Sequence, residues 1–157
     1  MLQLRILMVG KTERGFVQDG VAYYLERLRP FAHVETVEVR AAAHSGRDAG
    51  QAVEKESAAL LARLPPGDPL ILLDERGREL DTREFSAWLT RLGGEAQGVV
   101  HFAIGGAYGV GDTVRQHATA TLALSRMTLP HQLVRVVLLE QLYRALSLAA
   151  GHGYHHA

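Results

Sequence analysis

The sequence predicts an α/β fold with a mainly parallel sheet flanked by helices. Short apolar runs alternate along the chain with longer stretches of helical period. One of those runs, Pro69 to Leu73, is wholly apolar, and others nearly so, which implies strands covered on both faces. A length of 157 residues, 47% hydrophobic and 22% charged, suits one compact domain over residues 1–157. That much chain buries a core without covalent staples.

The elements follow in order. Leu4 to Val9 reads as a strand stopped by Gly10. Gly15 to Leu28 reads as a helix, with Val17, Val21, Tyr24, Leu25 and Leu28 at helical spacing. Val34 to Val39 alternates and is β-branched, the signature of a strand. Ser45 to Asp48 marks a turn and helix start, with the helix running to about Leu64 before Pro65-Pro66-Gly67. Pro69 to Leu73 is a short apolar strand. Asp81-Thr82 precedes a helix through Phe85, Trp88, Leu89 and Leu92, closed by Gly93-Gly94. Val99 to Ile104 is another strand, running into Gly105-Gly106-Ala107-Tyr108-Gly109. After Thr119 to Leu124, a long helix runs from about Pro130 to Ala150. It is apolar over most of its surface, so a second surface should cover it, and a homodimer partner is the natural one.

Composition excludes several chemistries. With no cysteine, there are no disulfides, thiolate metal sites or cysteine nucleophiles. Met1 to Gly10 lacks the basic start and cleavage site of a secretory leader, and no apolar stretch is long enough to span a bilayer. A cytoplasmic protein with no membrane contact is expected. Seventeen basic and seventeen acidic residues give no net charge. Any nucleic-acid binding must come from a local patch, a dimer surface, or a substrate that is itself a ribonucleoprotein.

Four segments carry candidate chemistry. The glycine turn at Gly105 either admits a ligand's close approach at a strand end or simply turns the chain. Leu73-Asp74-Glu75-Arg76-Gly77 follows another strand end, and its acids suit a ribose, an amine or a metal, or just a solvated turn. The segment from Leu124 to His131 has backbone groups with no ladder partner, which a cofactor such as adenosine would satisfy. Glu140 and Arg144 are spaced to pair on one helix face. The tail holds Tyr154, His155 and His156, and no acid or cysteine completes a metal site there, so no metal is expected. Two other readings stand beside a catalytic one: an RNA- or ribosome-associated module without catalysis, and a flavodoxin-like enzyme binding a phosphate-bearing ligand at Gly105 to Gly109.

The order of these segments resembles the RlmH family, the large-subunit rRNA pseudouridine N3-methyltransferases of the SPOUT class. The carrying stretches are Leu72 to Gly77, Phe102 to Gly106, Leu124 to His131, Arg135 to Ala145 and Tyr154-His155, with Val9-Gly10-Lys11 in support. The resemblance spans essentially the whole chain. It implies a SPOUT-type α/β knot with a C-terminal trefoil, a homodimer, and S-adenosyl-L-methionine held by Leu73, Gly105, Leu124, Ser125, Arg126, Met127, Thr128 and Leu129. It implies as substrate a pseudouridine in the helix 69 stem-loop of 23S rRNA in the assembled ribosome. The expected catalytic groups are Tyr154, which stacks on or bonds the base, and His155, which orients it or accepts its proton. Glu140 competes as the base, with Arg144 holding the base or a phosphate. Two departures stand out. Ala107-Tyr108 differs from the family's common pair, and His156 replaces a basic tail residue, so a phosphate contact there would be weaker or pH-dependent.

Overall fold

The computed structural model describes residues 1–43 and 46–153. Five strands form one parallel sheet in the order β2-β1-β4-β3-β5: β1 (Leu2–Val9), β2 (Ala32–Val39), β3 (Leu70–Glu79), β4 (Val100–Ile104) and β5 (Ala120–Ala123). The helices are α1 (Phe16–Leu28), α2 (Ala49–Leu61), α3 (Thr82–Glu95), α4 (Asp112–His117) and α5 (His131–Ala149), with a 3-10 turn at Gly46–Asp48.

Side-chain alternation explains the layering. Leu4, Ile6 and Met8 point into one core with Val17 of α1, Leu89 of α3, and Leu138 and Leu142 of α5. Leu7 and Val9 point into the other, with Leu60 of α2 and Val114 of α4. A strand covered on both faces has no polar face, which is why β1 closes on the apolar run Ile6 to Val9 and β3 opens on Leu70 to Leu73. Ser86 Oγ of α3 donates to the Ala145 carbonyl of α5 at 2.7 Å. Among the described residues no helix is long and apolar enough to cross a membrane.

Four local expectations are corrected. First, α3 continues through Gly93 and Gly94 to Glu95, where the Ala96 N–H donates to the Leu92 carbonyl at 2.9 Å, and its start is fixed by a capping box. Asp81 accepts from the Glu84 N–H, and Glu84 accepts from the Asp81 N–H, both at 2.8 Å. Second, Asp74 to Gly77 is not a turn after β3 but a bulge within it: Leu73 and Arg78 both pair with Leu122, and the residues between are pushed out. Gly77 is required there, since a Cβ would lie 2.7 Å from the Thr121 backbone. Third, α2 ends at Leu61, three residues earlier than expected. Fourth, α4 was not foreseen, being too short at six residues to show a period. Ser45, Tyr154, His155 and His156 lie outside the described residues.

Candidate functional site

The bulge of β3 and the carboxyl ends of β4 and β5 open onto one cleft of about 700 Å³. Parallel sheets bind ligands at that edge, because the strands stop there and the loops diverge. Leu73 contributes from β3, and Ile104 and Gly105 from the end of β4. Leu124, Ser125, Met127, Thr128 and Leu129 form another wall, and His131 and Val134 of α5 line it further along. Seven of the eight residues expected at the cofactor therefore meet in one place. The eighth, Arg126, does not line it: its side chain is 83% exposed and reaches Glu79 at 3.2 Å.

Each wall has a local cause. From Leu124 to Leu129 the chain is neither helix nor strand, and Pro130 caps α5, its carbonyl accepting from the Val134 N–H at 3.1 Å. The Met127 N–H donates to Ser125 Oγ at 2.9 Å, which bends the segment. Thr128 Oγ1 donates to Glu75 Oε2 at 2.5 Å, tying the segment to the β3 bulge. At Gly105 a Cβ would sit 2.9 Å from Gly109, where the Gly109 N–H donates back to the Gly106 carbonyl at 3.1 Å. The glycines are thus needed by the turn itself, and the turn makes part of the cleft wall.

The charged groups of the rim were only partly legible. Asp74 meets Arg115 of α4 at 2.6 Å and Arg76 at 3.3 Å. Burial opposes the Asp74 charge, but the Arg76 N–H and the two guanidinium groups outweigh it and hold the carboxyl below its usual range. Arg115 was not singled out in the sequence, since its partner lies on another element and no spacing rule connects them.

Behind the cleft, α5 is pinned to the β1–α1 loop. Arg135 is fully buried and donates to the Val9 carbonyl at 2.7 Å and to Thr12 Oγ1 at 2.9 Å. Its Nε has no partner among the described residues. Gln132 accepts from the Glu13 N–H at 3.0 Å and donates to the Lys11 carbonyl at 2.9 Å. Burial, then repulsion from Arg135, pushes the His131 imidazole below its ordinary value, while Glu13 and Glu56 pull the other way.

Glu140 and Arg144 do not line this cleft. Glu140 Oε1 accepts from Arg144 Nε at 2.9 Å and Nη2 at 2.5 Å, and Oε2 accepts from Gln141 at 2.6 Å. They share an outward stripe of α5 with Leu133, Val137 and Leu148, all partly exposed. Ser147, one turn beyond Arg144, is buried, its hydroxyl donating to the Arg144 carbonyl.

A parallel sheet with a cleft of this size, walled by aliphatic side chains and open backbone, defines a protein that binds a nucleoside-sized ligand at its carboxyl edge. A family model described as predicted SPOUT methyltransferase matches residues 2–155. The chain is 44% identical over 155 residues to the ribosomal RNA large subunit methyltransferase H of Geobacter sulfurreducens, covering 99% of this chain and 100% of that one. It is 46% identical over 156 residues to the protein of the same name from Nitratidesulfovibrio vulgaris, with 99% and 100% coverage. The chain belongs to the SPOUT methyltransferase family. A probable methyltransferase from Bordetella pertussis Tohama I shares the fold, with a TM-score of 0.56 at 19% identity over 92% of this chain and 95% of that one.

The protein is accordingly an S-adenosylmethionine-dependent methyltransferase. The cleft fits that cofactor on its own chemistry. Leu73, Ile104, Leu124 and Leu129 offer an apolar slot for a purine, and the Ser125 and Thr128 hydroxyls with the irregular backbone offer polar partners for adenosine.

Proposed function

We propose that the chain methylates N3 of a pseudouridine in the helix 69 stem-loop of 23S rRNA, on the assembled ribosome, in the cytoplasm. The observation that carries this reading is the meeting of Leu73, Gly105 and the Leu124–Leu129 segment in one nucleoside-sized cleft. Full-length relatives bearing the name ribosomal RNA large subunit methyltransferase H support large-subunit rRNA as the substrate class. The lack of net charge favours a particle over free RNA, because a neutral chain gains little from phosphate neutralisation alone.

Bound in the cleft, S-adenosylmethionine supplies an electrophilic methyl group. The residues of this chain do the rest by positioning. Leu73, Gly105, Leu124, Ser125, Met127, Thr128 and Leu129 hold the cofactor, with Arg126 continuing the backbone between them. N3 of pseudouridine is an imide nitrogen that reacts once its proton leaves, and holding it in line lowers the barrier by about 7–11 kcal/mol in well-oriented systems. Tyr154 and His155 close over the base, Tyr154 by stacking or hydrogen bonding and His155 by orienting it.

A homodimer completes the site. The outward stripe of α5 is apolar around the Glu140–Arg144 pair, and Phe16 and Tyr23 of α1 are 73% and 51% exposed. Covering these surfaces with a second copy brings Arg144, braced by Glu140, to the base or phosphate bound by the partner. With both Glu140 oxygens occupied, its geometry suits bracing Arg144 rather than receiving a proton. The trefoil threading of the C-terminal segment belongs to the same reading.

Removing Tyr154 to Ala157 tests it. Methylation of ribosomes should be abolished while S-adenosylhomocysteine still binds with near wild-type affinity in calorimetry. A truncated protein that methylates ribosomes normally removes the tail from the mechanism. Mass mapping of 23S rRNA from cells with and without the protein tests the target nucleotide.

A further inference from the structure

We propose that His131 is a catalytic residue that receives the N3 proton of the target base; this rests on the reading of the cleft as a methyl-transfer site. Four observations place it there. His131 lines the same cleft as Gly105 and Leu129, so a base brought to the cofactor comes to its side chain. It is the first residue of α5, a helix of 19 residues, whose positive end disfavours a second positive charge at that point. It is half-buried, and neither ring nitrogen has a hydrogen-bond partner among the described residues. Finally, the backbone behind it is fixed by Gln132 and Arg135, which tie the first turns of α5 to the loop after β1.

An unpartnered imidazole in a ligand cleft is a group whose acceptor lone pair is still available. The charged surroundings also suit a proton acceptor. Burial, then Arg135 one turn along α5, disfavours the imidazolium before reaction. Glu13 from the β1–α1 loop and Glu56 from α2 favour the imidazolium once the proton has arrived. Asp74, Glu75, Arg76, Arg115 and Tyr108 complete the charged and titratable lining of the cleft.

The step balances without further reagents. The N3–H bond breaks and its proton moves to the free imidazole nitrogen. The electron pair left on N3 forms the new N3–CH3 bond, and the pair of the broken S–CH3 bond stays on sulfur. The imidazolium then loses its proton to water.

The test is single-turnover methyl transfer from S-adenosylmethionine to unmethylated ribosomes, between pH 5.5 and 9, with wild type, His131→Gln and His131→Asn. The wild-type rate should fall on the acid side, with a midpoint below the ordinary histidine value. Both variants should lose about 10²–10⁴-fold in rate, the usual worth of a general base, and should lose the acid limb. Their affinity for S-adenosylhomocysteine, read by calorimetry, should stay within about twofold of wild type, since a base acts on the substrate and not on the cofactor. A variant that keeps most of the rate or the acid limb overturns the proposal. So does an affinity loss as large as the rate loss, which makes His131 a cofactor contact. A wild-type profile flat to pH 5.5 overturns it even where neither variant folds. Wild-type protein that binds the cofactor but leaves ribosomes unmethylated sinks the parent reading and this proposal with it.

Discussion

His101 and His131 sit at opposite edges of the same sheet and meet opposite surroundings. His101, near the amino end of β4, is fully buried. Its Nε2 lies 2.9 Å from Asp68 Oδ2, and the bond holds the start of β4 beside the start of β3. His131, at the carboxyl edge, lines a cleft and has no protein partner among the described residues. The same side chain is a fastening where a carboxylate and a closed core surround it, and a chemical group where the strands end and the loops part. Neighbours decide the role, and the parallel sheet decides the neighbours: its amino edge is closed by short turns, while its carboxyl edge is where β3, β4 and β5 release their loops.

The sharpest way to break this contrast is through Arg135, which joins the cleft to the core. Arg135→Ala removes a fully buried side chain and orphans the Val9 carbonyl. The expected loss is on the order of 2–5 kcal/mol in urea unfolding, as for other large buried truncations. Arg135→Met keeps much of the stem volume and should cost less. Equal losses would mean that the guanidinium bonds, not the packing, anchor α5.

Next in size is Asp68→Ala, at the other edge. It leaves the buried His101 imidazole with no partner, at a cost of about 1–3 kcal/mol. S-adenosylhomocysteine affinity should be unchanged, because the cleft lies at the far ends of the strands. Loss of affinity in this variant, with the fold intact by circular dichroism, would erase the division of labour between the two edges.

The same division explains what could be read in the sequence. The strands of the core were legible because burial on both faces favours apolar side chains at every position, as in Leu70 to Leu73; in Val100 to Ile104 only His101 departs, and Asp68 pairs with it. Part of the cleft was legible from chain direction, since Gly105 and Leu124 directly follow β4 and β5; that Leu73 joins them was implied by the family resemblance. The contacts that cross between elements were not. Nothing in sequence spacing links Asp74 to Arg115, Gln132 to Lys11, or His101 to Asp68, since each pair is joined by packing alone. The bulge at Asp74 to Gly77 escaped for a similar reason. Its polar residues look like a turn, and only β5 running alongside, with Leu122 pairing on both sides of the bulge, makes them part of a strand. His131 stood in a segment already singled out, but its lack of a partner is a property of the folded cleft.

The smallest effect is also the most direct comparison of the two edges, the dependence of stability on pH. Burial and Arg135 hold the folded His131 below the ordinary value of 6.5. Above 6.5 the imidazole is neutral in folded and unfolded chains alike and contributes no slope. As pH falls through 6.5 the unfolded chain takes the proton first, so stability drops until the lower folded value is passed. His131→Gln removes that slope. The stability of wild type relative to the variant should therefore decline between pH 7.5 and 5.5, by a small amount because the side chain is only half-buried. Urea midpoints across that range measure it. A difference that stays constant with pH would show that the cleft does not resist protonation of His131, leaving the imidazole without the poise a proton acceptor needs.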